Sequence, residues 1–396
     1  TLDSLDLDAW RRLVVPGGDV TAGTSPPLQL SALALRSGKL TAFGQHFTGF
    51  TIAATQAEGT WQARIDSKEM AGDLAWRASE RGRLRARLKN LSLSEVRSTP
   101  EPLPARDAKH DESLQELPGL DVIADNFSLR GKQLGKLELV AVNRGNLWQV
   151  DHYSIVNPDG GVSGSGQWHM SDGPQHPSET EISFKLQSAN AGKLLERFGY
   201  EDAVKRASTR LEGKLAWRGA PTGIDYPSLT GEMKLEASSG QFNKLEPGVG
   251  RLLGVLSLQS LPRRITLDFR DVFSDGFAFD SISGSMKVTS GVLRTDDLSI
   301  RGPSAKVFMS GSTDLAAETQ DLRVKVQPTL SESVALGAAI AGPVAGVATL
   351  LAQKVLKDPI EKLFSYEYGV SGTWKDPQVV KLADLRQQPA PAEIVR

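Results

Sequence analysis

The stretch Phe43-Gly44-Gln45-His46-Phe47-Thr48-Gly49-Phe50, continued as far as Trp61, indicates the fold because it returns later in the chain. A second stretch, from Arg130 to Trp148, matches it without a gap at an offset of 87 residues. The coinciding pairs are Gly44 and Gly131, Phe47 and Leu134, Phe50 and Leu137, Ile52 and Leu139, and Trp61 and Trp148. We interpret this as a degenerate repeat of strand, turn and strand, whose units stack on their neighbours.

Each copy is followed by a glycine and a further tryptophan. These are Gly72 and Trp76 after the first copy and Gly164 and Trp168 after the second, which carries about five extra residues. The same ending returns in the stretch 211–217 and, shortened, in 370–374. At the end of a strand a tryptophan packs more often than it anchors to lipid, so we interpret these tryptophans as packing residues.

Strict alternation later in the chain predicts a sheet with one apolar face. Ile265, Leu267 and Phe269 alternate with polar residues, and two further alternating pairs follow, Phe277 with Phe279 and Met286 with Val288. The 38 glycines and a hydrophobic content of 39% favour short strands joined by tight turns. The predicted fold class is mainly β: an elongated, twisted antiparallel sheet that forms an apolar groove from degenerate repeats and ends in a short helical segment.

Composition excludes several classes of function. A net charge of −1 leaves no basic field for nucleic acid. The chain has no cysteine, and its five histidines are scattered without the spacing of metal ligands. No nucleotide-binding loop or acyl-transfer elbow is present. We therefore expect no catalytic residue, no cofactor and no metal, and we expect that the protein is not an enzyme.

A run of 21 residues without charge, from Ser333 to Gln353, stands out near the carboxy end. Large apolar residues recur there at helical spacing, which predicts one bulky helix face. The residues of this face are Leu336, Ile340, Val344, Val347, Leu351 and Val355. The run is rich in alanine and glycine, so three roles stay open: a lid or plug on the groove, contact with the outer membrane, and a true membrane span.

These patterns divide the chain as follows. Residues 1–97 are predicted as a β repeat unit with a short initial helix, 98–118 as a loop rich in proline and charge, and 119–219 as a second β unit with a helix over 190–206. Residues 220–330 are the predicted carboxy-terminal β groove, 331–365 apolar or amphipathic helices, 366–380 a final strand, and 381–396 a disordered tail.

From about Ala189 onward the chain resembles the carboxy-terminal region of YhdP-type members of the AsmA-like superfamily, which is related to TamB. The motifs that carry the resemblance are Glu246-Pro-Gly-Val-Gly-Arg-Leu-Leu-Gly, Leu261-Pro-Arg-Arg-Ile-Thr-Leu-Asp-Phe, Arg301-Gly-Pro-Ser-Ala and Tyr368-Gly-Val-Ser-Gly-Thr-Trp. The first half resembles the family through its glycine and tryptophan repeat. The chain is thus expected to be a carboxy-terminal fragment of such a protein.

The resemblance implies the periplasmic part of a protein anchored in the inner membrane of Gram-negative bacteria. It implies passive phospholipid transport between the inner and outer membranes along an apolar groove, with the carboxy end near the outer membrane and a role in outer-membrane lipid homeostasis and the permeability barrier. The implied partners are phospholipids, the outer-membrane surface through the carboxy-terminal helices, and envelope proteins.

The candidate lipid-binding residues are those on the apolar side of the alternating strands. They are Leu137, Leu139, Ile265, Leu267, Phe269, Phe277, Phe279, Met286 and Val288. Alternation alone does not distinguish an open groove from a filled sandwich core. An envelope scaffold or interaction protein with a closed core and no lipid conduit is therefore the alternative. A polysaccharide-active enzyme ranks last because no defensible pair of facing acids is present.

Overall fold

Strands joined by tight turns form most of the chain. The computed structural model describes residues 2–7, 31–42, 44–78, 81–94, 117–171, 177–200, 202–221, 223–242, 277–329 and 365–384. The first ten strands are β1 (Leu2–Asp6), β2 (Ala32–Ala42), β3 (Gln45–Ala57), β4 (Thr60–Asp66), β5 (Met70–Arg77), β6 (Arg83–Leu93), β7 (Gly119–Leu129), β8 (Lys132–Asn143), β9 (Leu147–Asn157) and β10 (Gly160–His169).

Nine further strands and two short helices follow. The strands are β11 (Glu179–Ser188), β12 (Val204–Arg218), β13 (Thr230–Phe242), β14 (Phe277–Thr289), β15 (Val292–Arg301), β16 (Ala305–Asp314), β17 (Thr319–Pro328), β18 (Tyr366–Thr373) and β19 (Pro377–Asp384). An α-helix, α1 (Ala191–Arg197), precedes β12, and a 3₁₀-helix (Tyr226–Ser228) precedes β13. The predicted class, mainly β with an antiparallel sheet, is confirmed.

Two units can be distinguished by their internal contacts, and each is described by itself. Unit 1 comprises Thr1–Leu186, Arg197–Gly199 and Ala216–Ile224; unit 2 comprises Gln187–Glu196, Tyr200–Leu215 and Asp225–Arg396.

In unit 1, strands β2 to β10 pair with their neighbours in chain order. All these pairs are antiparallel except β6 with β7, and β1 adds to β2 as a second parallel pair. The predicted repeat corresponds to β3, β4 and β5 in the first copy and to β8, β9 and β10 in the second. Both copies therefore fold into the same three-stranded meander.

In unit 2, strands β13 to β19 also pair in chain order, and every pair is antiparallel. Buried side chains from β13 to β18 form one apolar cluster with residues 203–207 of the chain, and Leu195 of α1 packs against this cluster. Unit 2 therefore buries one face of its sheet in a conventional hydrophobic core.

Two-residue turns with glycine in second place set the register of three hairpins. Both central residues have positive φ at Glu58 and Gly59 (50° and 72°), at Arg130 and Gly131 (51° and 74°), and at Ser290 and Gly291 (48° and 77°). These are the values of a type I′ turn, whose twist matches that of the flanking strands.

Several predicted boundaries require correction. The helix predicted over 190–206 ends at Arg197, and the residues from Val204 onward belong to β12. Asn190 does cap it, because its Oδ1 accepts a hydrogen bond from the backbone N–H of Lys193 at 3.2 Å. The predicted final strand 366–380 is two strands, β18 and β19, and β19 extends to Asp384, into the predicted tail.

Other predictions fall outside the described residues. These are the short initial helix beyond residue 7, nearly all of the loop 98–118, the end of the tail, and the helical segment with Leu336, Ile340, Val344, Val347, Leu351 and Val355. Within the described ranges, no helix is long and apolar enough to cross a membrane.

Candidate functional site

The registers of unit 1 align apolar side chains from nine strands into two adjacent rows on one face. Residues directly opposite each other in neighbouring strands share a face, and so do residues two apart in one strand. The first row is Leu35, Ile52, Ile65, Gly72, Leu88, Ala124, Leu137, Ile155 and Val162. The second row is Leu33, Ala54, Ala63, Leu74, Ala86, Val122, Leu139, Tyr153 and Gly164. We call these two rows the apolar strip.

The middle of the apolar strip is only partly covered. Leu137 and Leu139, two of the predicted lining residues, are half-buried, and so are Val122, Ile155 and Tyr153 around them. Towards β4 and β6 the strip is more closely packed, since Ile65 is 2% exposed there. Unit 1 thus presents an apolar surface that is neither fully solvated nor fully sealed.

Glycines shape the strip where two strands would otherwise carry side chains. A Cβ atom added at Gly72 would lie 2.7 Å from the Cα of Leu88, and one added at Gly164 would lie 2.8 Å from the Oη of Tyr153. The Tyr153 ring therefore crosses over Gly164, and its hydroxyl donates to the carbonyl oxygen of Ser183 at 3.3 Å. Burial raises the pKa of the Tyr153 hydroxyl. These glycines let a neighbouring strand or side chain approach closely.

The opposite face of unit 1 is charged. Arg64 pairs with Asp73 at 3.0 Å, and Arg87 pairs with Asp121 at 2.7 Å. On β8, exposed Lys136 and Glu138 lie two residues apart on one face, and their 2.7 Å ion pair raises the pKa of Lys136 through the hydrogen bond they share. The two faces therefore differ in polarity, as expected for a sheet with one wet and one apolar side.

In unit 2 the predicted lining residues occupy the closed core. Phe277 and Phe279 are each 3% exposed and belong to the buried cluster, and Val288 is 1% exposed, whereas Met286 is half-buried. Ile265, Leu267 and Phe269 lie outside the described residues. The described lining candidates therefore divide into a partly accessible pair in unit 1 and a mostly buried group in unit 2.

Within β14 the alternation of buried and exposed residues shifts by one position. This shift explains how odd-numbered and even-numbered residues reach the same face of the sheet. Phe277 and Phe279 are buried at odd positions, while Ile282 and Val288 are buried at even positions. The switch falls at Asp280 and Ser281, and β13 switches opposite this point, next to Ser239 with a φ of 48°. Because both strands shift at the same point, the apolar side chains of each strand face the core on both sides of the shift.

Most of the apolar strip was not among the lining residues proposed from sequence. Leu88 stands between Arg87 and Lys89 and alternates with polar residues as clearly as Leu137 does. Each of the other large apolar residues of the strip outside the prediction has at least one apolar neighbour in sequence, so the alternation was weaker there; these are Leu33, Leu35, Leu74, Val122 and Ile155. Ile52 of the first repeat copy is equivalent to Leu139 of the second. This equivalence alone would have identified Ile52 as a candidate lining residue. No group of histidine and acidic side chains suited to a metal occurs within the described ranges.

Fold and site together define an antiparallel β protein with a partly accessible apolar strip on one face and charged residues on the other. A family model described as YhdP protein matches residues 1–379. The chain therefore belongs to the YhdP family.

One curated relative is the intermembrane phospholipid transporter YhdP of Escherichia coli (strain K12), which is 30% identical over 259 residues. The match covers 65% of this chain and 20% of that protein, so the matched part of the chain spans about a fifth of the relative's length. No solved structure matches the chain.

Proposed function

We propose that this chain is part of an envelope transporter and that it carries phospholipid passively along the apolar strip. The observation that carries the proposal is the half-buried surface around Leu137 and Leu139, which belongs to rows that continue through nine strands. The Escherichia coli relative is an intermembrane phospholipid transporter, which supports the choice of phospholipid as cargo.

The physical requirement is shielding. Each acyl methylene group moved from water to an apolar surface gains about 0.8 kcal/mol, so a lipid outside a membrane needs a long apolar partner. The strip supplies such a partner, and the charged opposite face keeps the sheet hydrated. We propose that movement along the strip is passive and involves no catalysis by the residues of this chain.

The resemblance to the family extends the proposal to the location of the chain. It lies in the periplasm as part of a protein anchored in the inner membrane, with its carboxy end near the outer membrane. The segment 331–365 contacts that membrane or gates the groove. The result is lipid supply that maintains the outer-membrane permeability barrier. Phospholipids, the outer-membrane surface and envelope proteins are its proposed partners.

The closed core of unit 2 supports a second candidate function, an envelope scaffold without a lipid conduit. Phe277 and Phe279 pack among buried side chains, as they would in a structural domain. A scaffold would need no accessible strip in unit 1, so the state of that strip distinguishes the two functions.

Site-specific photocrosslinking tests the transport proposal. A photoreactive phenylalanine analogue replaces Leu139 on the strip or, as the matched control, its neighbour Val140 on the opposite face of β8. We expect phospholipid adducts at 139 and few at 140 when the chain is irradiated with radiolabelled phospholipid vesicles. Equal labelling at both positions, or none at 139 in a folded protein, would favour the scaffold.

A further inference from the structure

Three polar side chains lie at one end of the core of unit 2 with their hydrogen-bonding atoms buried. Among the described residues, five buried side-chain nitrogen or oxygen atoms have no hydrogen-bond partner, and four of them belong to Thr313, Gln320 and Trp374. These four are the Oγ1 of Thr313, the Nε2 and Oε1 of Gln320, and the Nε1 of Trp374. We call these three side chains the buried polar cluster.

The strand registers bring the buried polar cluster together. Thr313 in β16 lies directly opposite Gln320 in β17. The backbone N–H of Trp374 donates to the carbonyl oxygen of Glu318 at 2.9 Å, so Trp374 continues the pairing of β17 with β18. Trp374 is therefore a diagonal neighbour of Gln320, a separation that an aromatic side chain can span. Gly372, directly opposite Gln320, has no side chain to separate them.

The cluster lies on the core face of the sheet. Leu293 of β15 lies directly opposite Thr313, and Leu322 follows Gln320 by two residues on the same face. These leucines are 7% and 3% exposed, and Thr313 and Gln320 are themselves 1% and 5% exposed. Polar side chains thus occupy positions where the rest of this face carries apolar ones.

Burial without a partner is unfavourable for these groups. A glutamine amide can donate two hydrogen bonds and accept two, and a threonine hydroxyl can donate one and accept two. Water meets these needs in the unfolded chain, so folding without new partners would lose the bonds and gain nothing in return. Folded proteins satisfy most buried polar side-chain atoms with protein groups or with ordered water.

The unpaired atoms define the chemistry of a suitable partner. The Nε2 of Gln320 and the Nε1 of Trp374 donate, the Oε1 of Gln320 accepts, and the hydroxyl of Thr313 does both. A partner for all three side chains must therefore both donate and accept. None of the three is charged, so the cluster offers an ion no opposite charge. Water fits these conditions, and a buried water typically makes about three hydrogen bonds.

From these observations we infer that the buried polar cluster is a binding site for ordered water. The water links β16, β17 and the residue that follows β18, so it joins neighbouring strands where the apolar core ends. This inference does not depend on the proposed function, because it concerns the closed core of unit 2 and not the apolar strip.

Nuclear magnetic resonance tests the inference directly. The full chain is prepared with isotope-labelled glutamine and tryptophan. The side-chain signals of Gln320 and Trp374 are identified by their loss in Gln320→Met and Trp374→Phe. We expect both sets of N–H protons in the parent to show nuclear Overhauser cross-peaks to water, with the sign of a water molecule that stays bound for longer than the protein takes to tumble.

Urea denaturation supplies a second measurement. Thr313→Val and Gln320→Met remove polar atoms and keep a similar shape. Thr180→Val is the matched control, because Thr180 is 1% exposed and its hydroxyl donates to the carbonyl oxygen of Gly219 at 2.7 Å. We expect Thr313→Val to lower the urea midpoint as Thr180→Val does, since both variants lose a hydrogen bond. The double variant at 313 and 320 should shift the midpoint by less than the sum of the single shifts, because both side chains bind the same water.

A cluster without bound water predicts the opposite sign. Replacing its unpartnered polar atoms with apolar ones would then raise the urea midpoint in Thr313→Val and Gln320→Met. Such a rise, or the absence of water cross-peaks from Gln320 in the parent, would overturn the inference and leave the transport proposal intact. Additive midpoint shifts in the double variant would overturn the shared water. The measurement on the parent decides even where a variant fails to fold.

Discussion

Trp148 lies directly opposite Trp168 across the hairpin of β9 and β10. One repeat earlier, Trp61 lies directly opposite Trp76 across β4 and β5. The two copies of the repeat therefore place their tryptophan pairs at the same end of the meander. Trp148 and Trp168 are 8% and 2% exposed, which agrees with the packing role expected from sequence.

The indoles of Trp148 and Trp168 differ in their hydrogen bonds. We therefore predict that replacing each of them with phenylalanine lowers stability by different amounts. The Nε1 of Trp148 donates to the carbonyl oxygen of Pro118 at 3.1 Å, whereas the buried Nε1 of Trp168 has no hydrogen-bond partner among the described residues. Trp148→Phe leaves that carbonyl unsatisfied, so it should destabilise unit 1 by about 1–2 kcal/mol more than Trp168→Phe. Urea denaturation of the two variants measures the difference, and an equal or reversed order would contradict it.

Gly240 provides a test of packing in the core of unit 2. A Cβ atom added there would lie 2.5 Å from the Cζ of Phe279 and 2.7 Å from the Cβ of Ala207. Gly240→Ala should therefore cost about 1–3 kcal/mol. Gly223→Ala is the control, because no atom lies within 4 Å of its added Cβ. The difference should appear in thermal denaturation. Two variants with the same midpoint would show that the core rearranges to accommodate the added methyl group.

We predict that the stability of unit 2 depends on pH through the carboxylate of Asp297. Its carboxylate accepts hydrogen bonds from the backbone N–H and the hydroxyl of Ser285, at 2.7 and 2.8 Å, where the register of β14 and β15 shifts. These bonds, with the backbone N–H first, lower the pKa of Asp297. Its stabilising effect is thus fully present above the unfolded pKa of about 3.9 and is lost as pH falls through the lower folded value.

The stability difference between the parent and Asp297→Asn should consequently shrink as pH falls below about 4. Urea midpoints between pH 2 and 6 measure this difference, with Asp296→Asn as the neighbouring control. A difference that stays constant across the range would exclude the contribution of the carboxylate. Asp296 and Asp297 both lie within β15.

Substitutions that introduce a charge should have different effects on the partly open strip and on the closed core. Leu139→Glu puts its carboxylate on a half-buried surface, so the protein should remain folded and lose lipid binding. Phe279→Glu buries an unpaired charge in a cluster where Phe279 is 3% exposed, which costs several kcal/mol and should unfold unit 2. Circular dichroism and lipid extraction report the two effects. Loss of fold in both variants would indicate a closed core in unit 1 as well.

Sequence patterns predicted the strands well because their information is local. The tryptophan and glycine positions identified the repeat, and alternation identified the apolar side of β8 and β14. Helix α1 was predicted too long, since an amphipathic pattern continues beyond Arg197 while residues from Val204 onward pair as a strand. Tertiary pairing overrides local helical preference in such a stretch.

The amino-acid sequence by itself determined that this protein is mainly β, that its repeat is built from strand hairpins, and that one side of the strands is apolar. Only the tertiary structure decided which apolar residues stay accessible. Leu139 and Phe279 follow the same alternation, yet one is half-buried and the other is sealed in a core. The physical reason is that alternation fixes the face of a side chain, whereas its burial depends on what packs over that face from distant parts of the chain.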